Sequence, residues 1–180
     1  MLDDFTITNS TNEYELNVDI RIEDEAWKKA IANDLNKLVI ESSQHIFVTV
    51  GLNKHVKHIE FSLTLTDSHN IQKLNAQYRG KDAPTNSLSF PAQELIPEKL
   101  DKYKFHDGFA ILGDIILAYD VVASEAITQN KSFYNHFAHL LVHGVLHLLG
   151  YDHIIEEDAI KMEALEVEIL SFLEIKSPYE

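Results

Sequence analysis

Tyr14, Leu16, Val18 and Ile20 alternate with Glu15, Asn17 and Asp19, a period of two that predicts a strand with one buried face. Trp27, Ala30, Ile31, Leu35, Leu38 and Val39 then recur at helical spacing, and Asp24 is placed to cap that helix. Residues 46–50 form a short β-branched run of strand character. Ile59, Phe61, Leu63 and Leu65 alternate with Glu60, Ser62 and Thr64 as a further strand. Asp67 and Ser68 can cap the helix that follows through Leu74 and Tyr78, the latter expected to pack. Residues 87–90 and 109–119 carry strand patterns. Residues 91–107, with Pro91 and Pro97, read as a loop, and residues 120–129, 132–149 and 156–173 have helical periods. Strands and helices mixed without strict alternation predict an α+β fold, a small sheet covered by helices.

The 180 residues hold no repeat, low-complexity tract or flexible linker, so residues 1–180 are expected to form one domain with its own core. There is no cysteine, which excludes disulfide scaffolds, thiol nucleophiles and cysteine-based zinc or iron–sulfur sites. The acidic start of the chain lacks the basic and apolar regions of a secretory signal. The apolar stretches 109–119 and 137–150 are interrupted by Asp114 and by histidines, short of the roughly 20 residues that cross a bilayer. A cytoplasmic protein with no membrane partner is the expectation. The net charge of −14 argues against strong binding to free nucleic acid. Residues 51–81 depart from that balance: Lys54, Lys57, Lys73, Arg79 and Lys81, with His55, His58 and His69, outnumber Glu60 and Asp67 and make one basic island.

Candidate chemistry concentrates in residues 136–153, which hold five of the ten histidines: His136, His139, His143, His147 and His153. His143 and His147 lie four apart on a helical period, so their imidazoles share one face and can reach one ion. Gly150 follows where a helix commonly ends in a left-handed residue, and the reversal can bring His153 back as a third ligand. Three neutral imidazoles leave one tetrahedral position open, the arrangement of a catalytic zinc site on a helix and the turn after it. Nickel suits the same donors, no oxygen-rich cage for calcium accompanies them, and one metal per chain is expected. Asp152 can accept an imidazole N–H or cap the next helix. His139, one turn before His143, stands behind the ligands or simply packs, and His136 is expected to be exposed. The spacing of residues 143–153 is that of the metzincin peptidases, H-E-x-x-H-x-x-G-x-x-H. Gly144 occupies the place of the general-base glutamate and cannot take a proton from water, which argues against peptidase chemistry.

Residues 143–153, written H-G-x-L-H-L-x-G-Y-D-H, resemble the signature of the YbeY family of metal-dependent endoribonucleases that mature ribosomal RNA. Residues 78–91, from Tyr78 and Arg79 through Pro84, Thr85 and Asn86 to Pro91, are similar to the family's Y-R-x-x-D-x-P-T-[DN]-V-L-S-F-P, and residues 112–115 to its L-G-D-I strand. Met162, Glu163, Ala164, Leu165 and Glu166, with Pro178 and Tyr179, also fit. Ser87 stands where the family usually has Val, a change expected to touch packing near the site and not chemistry. The resemblance covers most of residues 55–180, whereas residues 1–50 match in general pattern.

The resemblance implies an α+β fold with a central mixed sheet and zinc held by His143, His147 and His153. It also implies single-strand-specific hydrolysis of RNA near the 3′ end of 16S ribosomal RNA, with a part in ribosome quality control. Arg79 is one of two arginines, and its guanidinium fork suits a phosphate whose charge rises during displacement. With His143 and His147 it forms the expected catalytic set. Thr85 and Asn86 bond the substrate or serve the turn after Pro84. In so acidic a chain, presentation on a ribosomal particle or by a ribosome-associated protein is expected to supply what electrostatics does not. The rival readings are a metallohydrolase of another substrate, peptides included, and a non-catalytic ribosome-assembly factor with a structural metal.

Overall fold

Strand β1 (Asp3–Ser10) turns back into β2 (Glu15–Ile22) as an antiparallel pair. The alternation at residues 14–20 is therefore a strand, with Leu16, Val18, Ile20 and Ile22 buried. The sequence pattern had no signal for β1. It is an edge strand with Ile7 as its one buried position, so it shows no alternation to read. The computed structural model describes residues 3–31, 34–54 and 56–179, and His55 of the basic island lies outside them.

Helices α1 (Glu25–Ile31) and α2 (Leu35–Thr49) stand where the spacing predicts one helix over residues 27–39. Asp24 caps the first, its carboxylate accepting from the Ala26 N–H at 2.9 Å. The run at 46–50 is the end of α2 and its cap, not a strand. Ile46 and Phe47 continue a buried stripe through Leu35, Leu38, Val39, Ser42 and Ser43 at steps of three and four. Burying one large apolar side chain is worth roughly 1.5–3 kcal/mol, whereas a β-branched residue costs a helix under about 0.7 kcal/mol, so packing overrides propensity.

β3 (His58–Thr66) pairs parallel with β2, and α3 (Ser68–Arg79) leads to β4 (Ser87–Pro91). β5 (Phe109–Ala118) then lies between β3 and β4, parallel to the first and antiparallel to the second. The result is a five-stranded mixed sheet in the order β1-β2-β3-β5-β4. Between β4 and β5 the predicted loop contains short 3-10 turns at Pro97–Lys102 and His106–Gly108 and buries Leu95, Leu100 and Phe105. Helices α4 (Tyr119–Thr128), α5 (Phe133–Leu148) and α6 (Glu156–Phe172) complete an α+β fold.

One sheet face presents Leu16, Val18, Phe61, Leu63, Ile115 and Leu117 to the core. α5 is the central helix on that side, touching α1, α2, α4 and α6 and the β4–β5 edge. Trp27 ties the layers together: its Nε1 donates to the Thr66 carbonyl at 2.9 Å, and its ring packs edge-on against Tyr119 and Phe133. α3 covers the opposite face at the β4–β5 edge, where Ile71 and Leu74 meet Leu88 and Ile116. Tyr78, expected to pack, is 59% exposed and meets Phe90 edge-on at 5.2 Å. Among the described residues no helix is long and apolar enough to cross a membrane.

Candidate functional site

α5 begins at Ser132, whose hydroxyl accepts from the Asn135 N–H at 3.1 Å. It buries Phe137, Leu141, Val145 and Leu148, while His139, His143 and His147 follow one another by turns along a less buried side. The chain reverses at Gly150, with φ +89°. A Cβ there would stand 2.2 Å from the Leu95 carbonyl oxygen, so the turn requires glycine. The reversal brings His153 alongside, its ring centroid 5.3 Å from that of His143 and 5.1 Å from that of His147. One nitrogen from each of the three rings can be chosen so that all lie within 4.8 Å of one another.

Hydrogen bonds define which nitrogens those are. His147 Nδ1 donates to the Tyr151 carbonyl at 2.9 Å, and a carbonyl can only accept. His143 Nδ1 donates to Glu166 Oε1 at 2.7 Å. Both Nδ1 atoms thus carry a proton, and the two Nε2 atoms face each other at 3.0 Å. Burial, reinforced by neighbouring His143, pushes His147 down to about 4, which keeps its Nε2 unprotonated and available to a metal. Two facing Nε2 atoms with a third imidazole beside them are a donor set that fits a nitrogen-preferring transition metal such as zinc or nickel.

Glu166 is the site residue that the sequence reading left without a role. Its carboxylate is 1% exposed and accepts from His143 Nδ1, from His139 Nε2 at 3.0 Å and from the Tyr179 hydroxyl. Burial acts to raise its pKa, but the three hydrogen bonds prevail and bring it down to about 2. The signal was present in α6, where Glu166 interrupts the buried stripe of Met162, Ile169 and Leu170, a place where an acid needs partners. His139, His143 and Glu166 also lie close enough to hold an ion, yet their 2.7 and 3.0 Å contacts are hydrogen bonds whose protons such an ion would displace.

His136, expected to be exposed, is 3% exposed and bonds through Nε2 to Glu125 Oε2 at 2.7 Å. Its helix turn points toward α4 and away from solvent. Among the described residues Asp152 is hydrogen-bonded to no imidazole and does not cap α6, although its charge acts on His147. Its carboxylate accepts the backbone N–H of His153 at 2.7 Å, and Ile155, the residue before α6, offers no side-chain cap.

The three histidines open onto a groove of about 1110 Å³ shared with Arg79, Thr85, Asn86 and Ser89. α3 delivers Arg79 in its last turn: Asp67 caps its start, accepting from the Asn70 N–H at 2.7 Å, and left-handed Gly80 ends it. The 80–86 loop is tied back to α3 through Asn75 Nδ2, which donates to the Ala83 carbonyl at 2.8 Å. Arg79 is exposed and reaches the Ser89 carbonyl at 3.4 Å. Asn86 is committed to the protein: Oδ1 accepts from the Ser87 N–H at 2.6 Å and Nδ2 donates to Glu125 Oε2 at 3.0 Å. The turn role for Asn86 is therefore the one the structure displays. Ser87 joins that turn, with its hydroxyl 3.3 Å from Asn86 Oδ1.

Gly144 faces the sheet and not the groove. A Cβ at this position would lie 2.9 Å from Ile115 Cγ2, so α5 sits against β5 at a distance that only glycine permits. Glutamate at 144 would push an unpartnered carboxylate into the core. Gly144→Glu is expected to lose at least about 3 kcal/mol in urea unfolding and to show no peptidase activity. Retention of stability within about 1 kcal/mol would contradict this packing.

The family model described as Endoribonuclease YbeY matches residues 21–174. Three proteins named Endoribonuclease YbeY are similar over long stretches. That of Azorhizobium caulinodans is 40% identical over 164 residues, 91% of this chain and 96% of that protein. That of Acinetobacter baumannii is 51% identical over 122 residues, 67% and 74% of the two chains. That of Parvibaculum lavamentivorans is 49% identical over 120 residues, 67% of this chain and 65% of that protein. A solution structure from Thermotoga maritima aligns over 89% of this chain and 95% of its own, with a TM-score of 0.45 and 22% identity.

Proposed function

Since the chain belongs to the YbeY family of endoribonucleases, we propose that residues 1–180 form one domain that hydrolyses single-stranded RNA with one zinc ion held by His143, His147 and His153. Its proposed substrate is small-subunit ribosomal RNA near the 3′ end of 16S RNA, met in the cytoplasm during ribosome maturation and quality control. The observation that carries the metal reading is the pair of Nε2 atoms 3.0 Å apart, each backed at Nδ1 by an acceptor. A zinc ion bound there supplies Lewis acidity toward water or a phosphate oxygen.

The protein's own groups do the rest. Glu166 and the Tyr151 carbonyl hold the protons at Nδ1 and so fix the orientation of two imidazoles. Arg79 presents a guanidinium at the groove to bind and neutralise a phosphate. Asn86 braces the wall that carries Thr85, whose hydroxyl is 3.5 Å from Asn86 Oδ1 and stays available to a substrate oxygen. An unpaired strand is the proposed occupant of the groove, and the acidic chain as a whole supports delivery of RNA on a ribosomal particle or by a ribosome-associated protein over capture of free RNA.

Element analysis of protein purified without chelator is expected to find about one zinc or nickel per chain. The loaded protein is expected to cut single-stranded RNA, to spare duplex RNA and to leave casein intact. Metal uptake without RNA cleavage would support a structural metal instead, and cleavage of casein a different hydrolase.

A further inference from the structure

We propose that Glu166 and Tyr179 are positioning residues that aim His143 at the metal, with the segment around Tyr179 acting as a latch over the Glu166 carboxylate. The inference rests on the metal reading above and names what stands behind its ligands. Glu166 lies on the core-facing stripe of α6 and receives three hydrogen bonds, from His143 Nδ1, His139 Nε2 and the Tyr179 hydroxyl. Such a carboxylate holds the tautomer that leaves Nε2 of His143 free for metal, and makes that nitrogen a stronger donor.

Tyr179 is itself held in place. Lys131 Nζ donates to the Pro178 carbonyl at 2.7 Å, the Tyr179 N–H donates to Ser177 Oγ at 3.2 Å, and the Tyr179 ring lies edge-on to His139 at 5.8 Å. Its hydroxyl shares Oε2 with His139, leaving Oε1 turned toward His143. Without that hydroxyl, Oε2 retains one donor and the carboxylate is freer to rotate away from His143. A role in packing alone would be served equally by phenylalanine.

The test measures zinc affinity of the metal-stripped full chain by competition with a chromophoric chelator, and records visible spectra with cobalt(II) in place of zinc. Glu166→Gln is expected to weaken zinc binding about 10–100-fold. Tyr179→Phe is expected to weaken it about fivefold, the equivalent of one hydrogen bond. Both are expected to shift the cobalt bands. Ile169→Val, a buried change elsewhere on α6, is expected to lower the melting temperature while leaving zinc affinity and cobalt bands unchanged. Wild-type affinity and bands in Tyr179→Phe would overturn the latch, and that variant decides alone if Glu166→Gln does not fold. Equal weakening in Ile169→Val would reduce the effect to general loosening. A wild-type protein that takes up neither ion would defeat the metal reading and this inference together, whereas wild-type uptake with unaffected variants would defeat this inference only.

Discussion

His147→Ala is expected to abolish metal retention, zinc-induced stabilisation and RNA cleavage together, while leaving the metal-free fold nearly intact. Ligand removal leaves two imidazoles, too few to hold an ion against dilution. The wild type at zinc a hundredfold above its dissociation constant gains about 2.7 kcal/mol of stability. For a chain of this length that corresponds to a rise in melting temperature of roughly 5–10 °C. The variant should show no such rise. In the metal-free state the cost is small, because the substitution forfeits the bond from Nδ1 to the Tyr151 carbonyl and the 3.0 Å contact of the two Nε2 atoms on a side chain that is only partly buried. The metal-free variant is therefore expected to lie within about 1.5 kcal/mol of the wild type. Element analysis, calorimetry with and without zinc, and cleavage of single-stranded RNA check the three parts. Full metal content in His147→Ala would remove the three-histidine site.

The elements legible in the sequence are those in which local period and burial agree. β2 and β3 alternate because one face of each meets the core, and α5 shows its period because it lies in the middle of the helical layer. The break between α1 and α2 was hidden because apolar residues keep helical spacing on both sides of it. The chain at 46–50 was misread because its β-branched composition says less than the core-facing stripe it completes. At the site, the i and i+4 histidines and the glycine turn are local features, so spacing alone brought His143, His147 and His153 near each other. What spacing cannot supply is a partner from a distant element. Glu166 comes from α6, Tyr179 from beyond it, and Glu125 from α4 to turn His136 inward. A buried acid in an otherwise apolar stripe shows that partners exist, but the tertiary packing chooses them.

Arg79→Ala is expected to slow cleavage about a hundredfold while leaving the metal and the fold in place, a pattern opposite to that of His147→Ala. The guanidinium ends α3, is exposed, and has one 3.4 Å contact, to the Ser89 carbonyl, so its removal should change stability by no more than about 0.5 kcal/mol. It contributes no metal donor, since an arginine stays protonated at any working pH. On the proposed assignment its donors meet the phosphate as negative charge builds in the transition state. Loss of one preorganised donor of that kind costs on the order of 3 kcal/mol in activation free energy. The effect should fall on kcat more than on KM, because the charge that Arg79 neutralises is greatest in the transition state. Arg79→Lys should recover part of the rate, keeping the charge and losing the two-pronged geometry. Zinc stoichiometry, melting temperature and the kcat and KM for a single-stranded RNA, measured for both variants, separate these roles. Near-normal cleavage by Arg79→Ala would remove Arg79 from the mechanism, and loss of zinc from that variant would show that it supports the metal site instead of the phosphate.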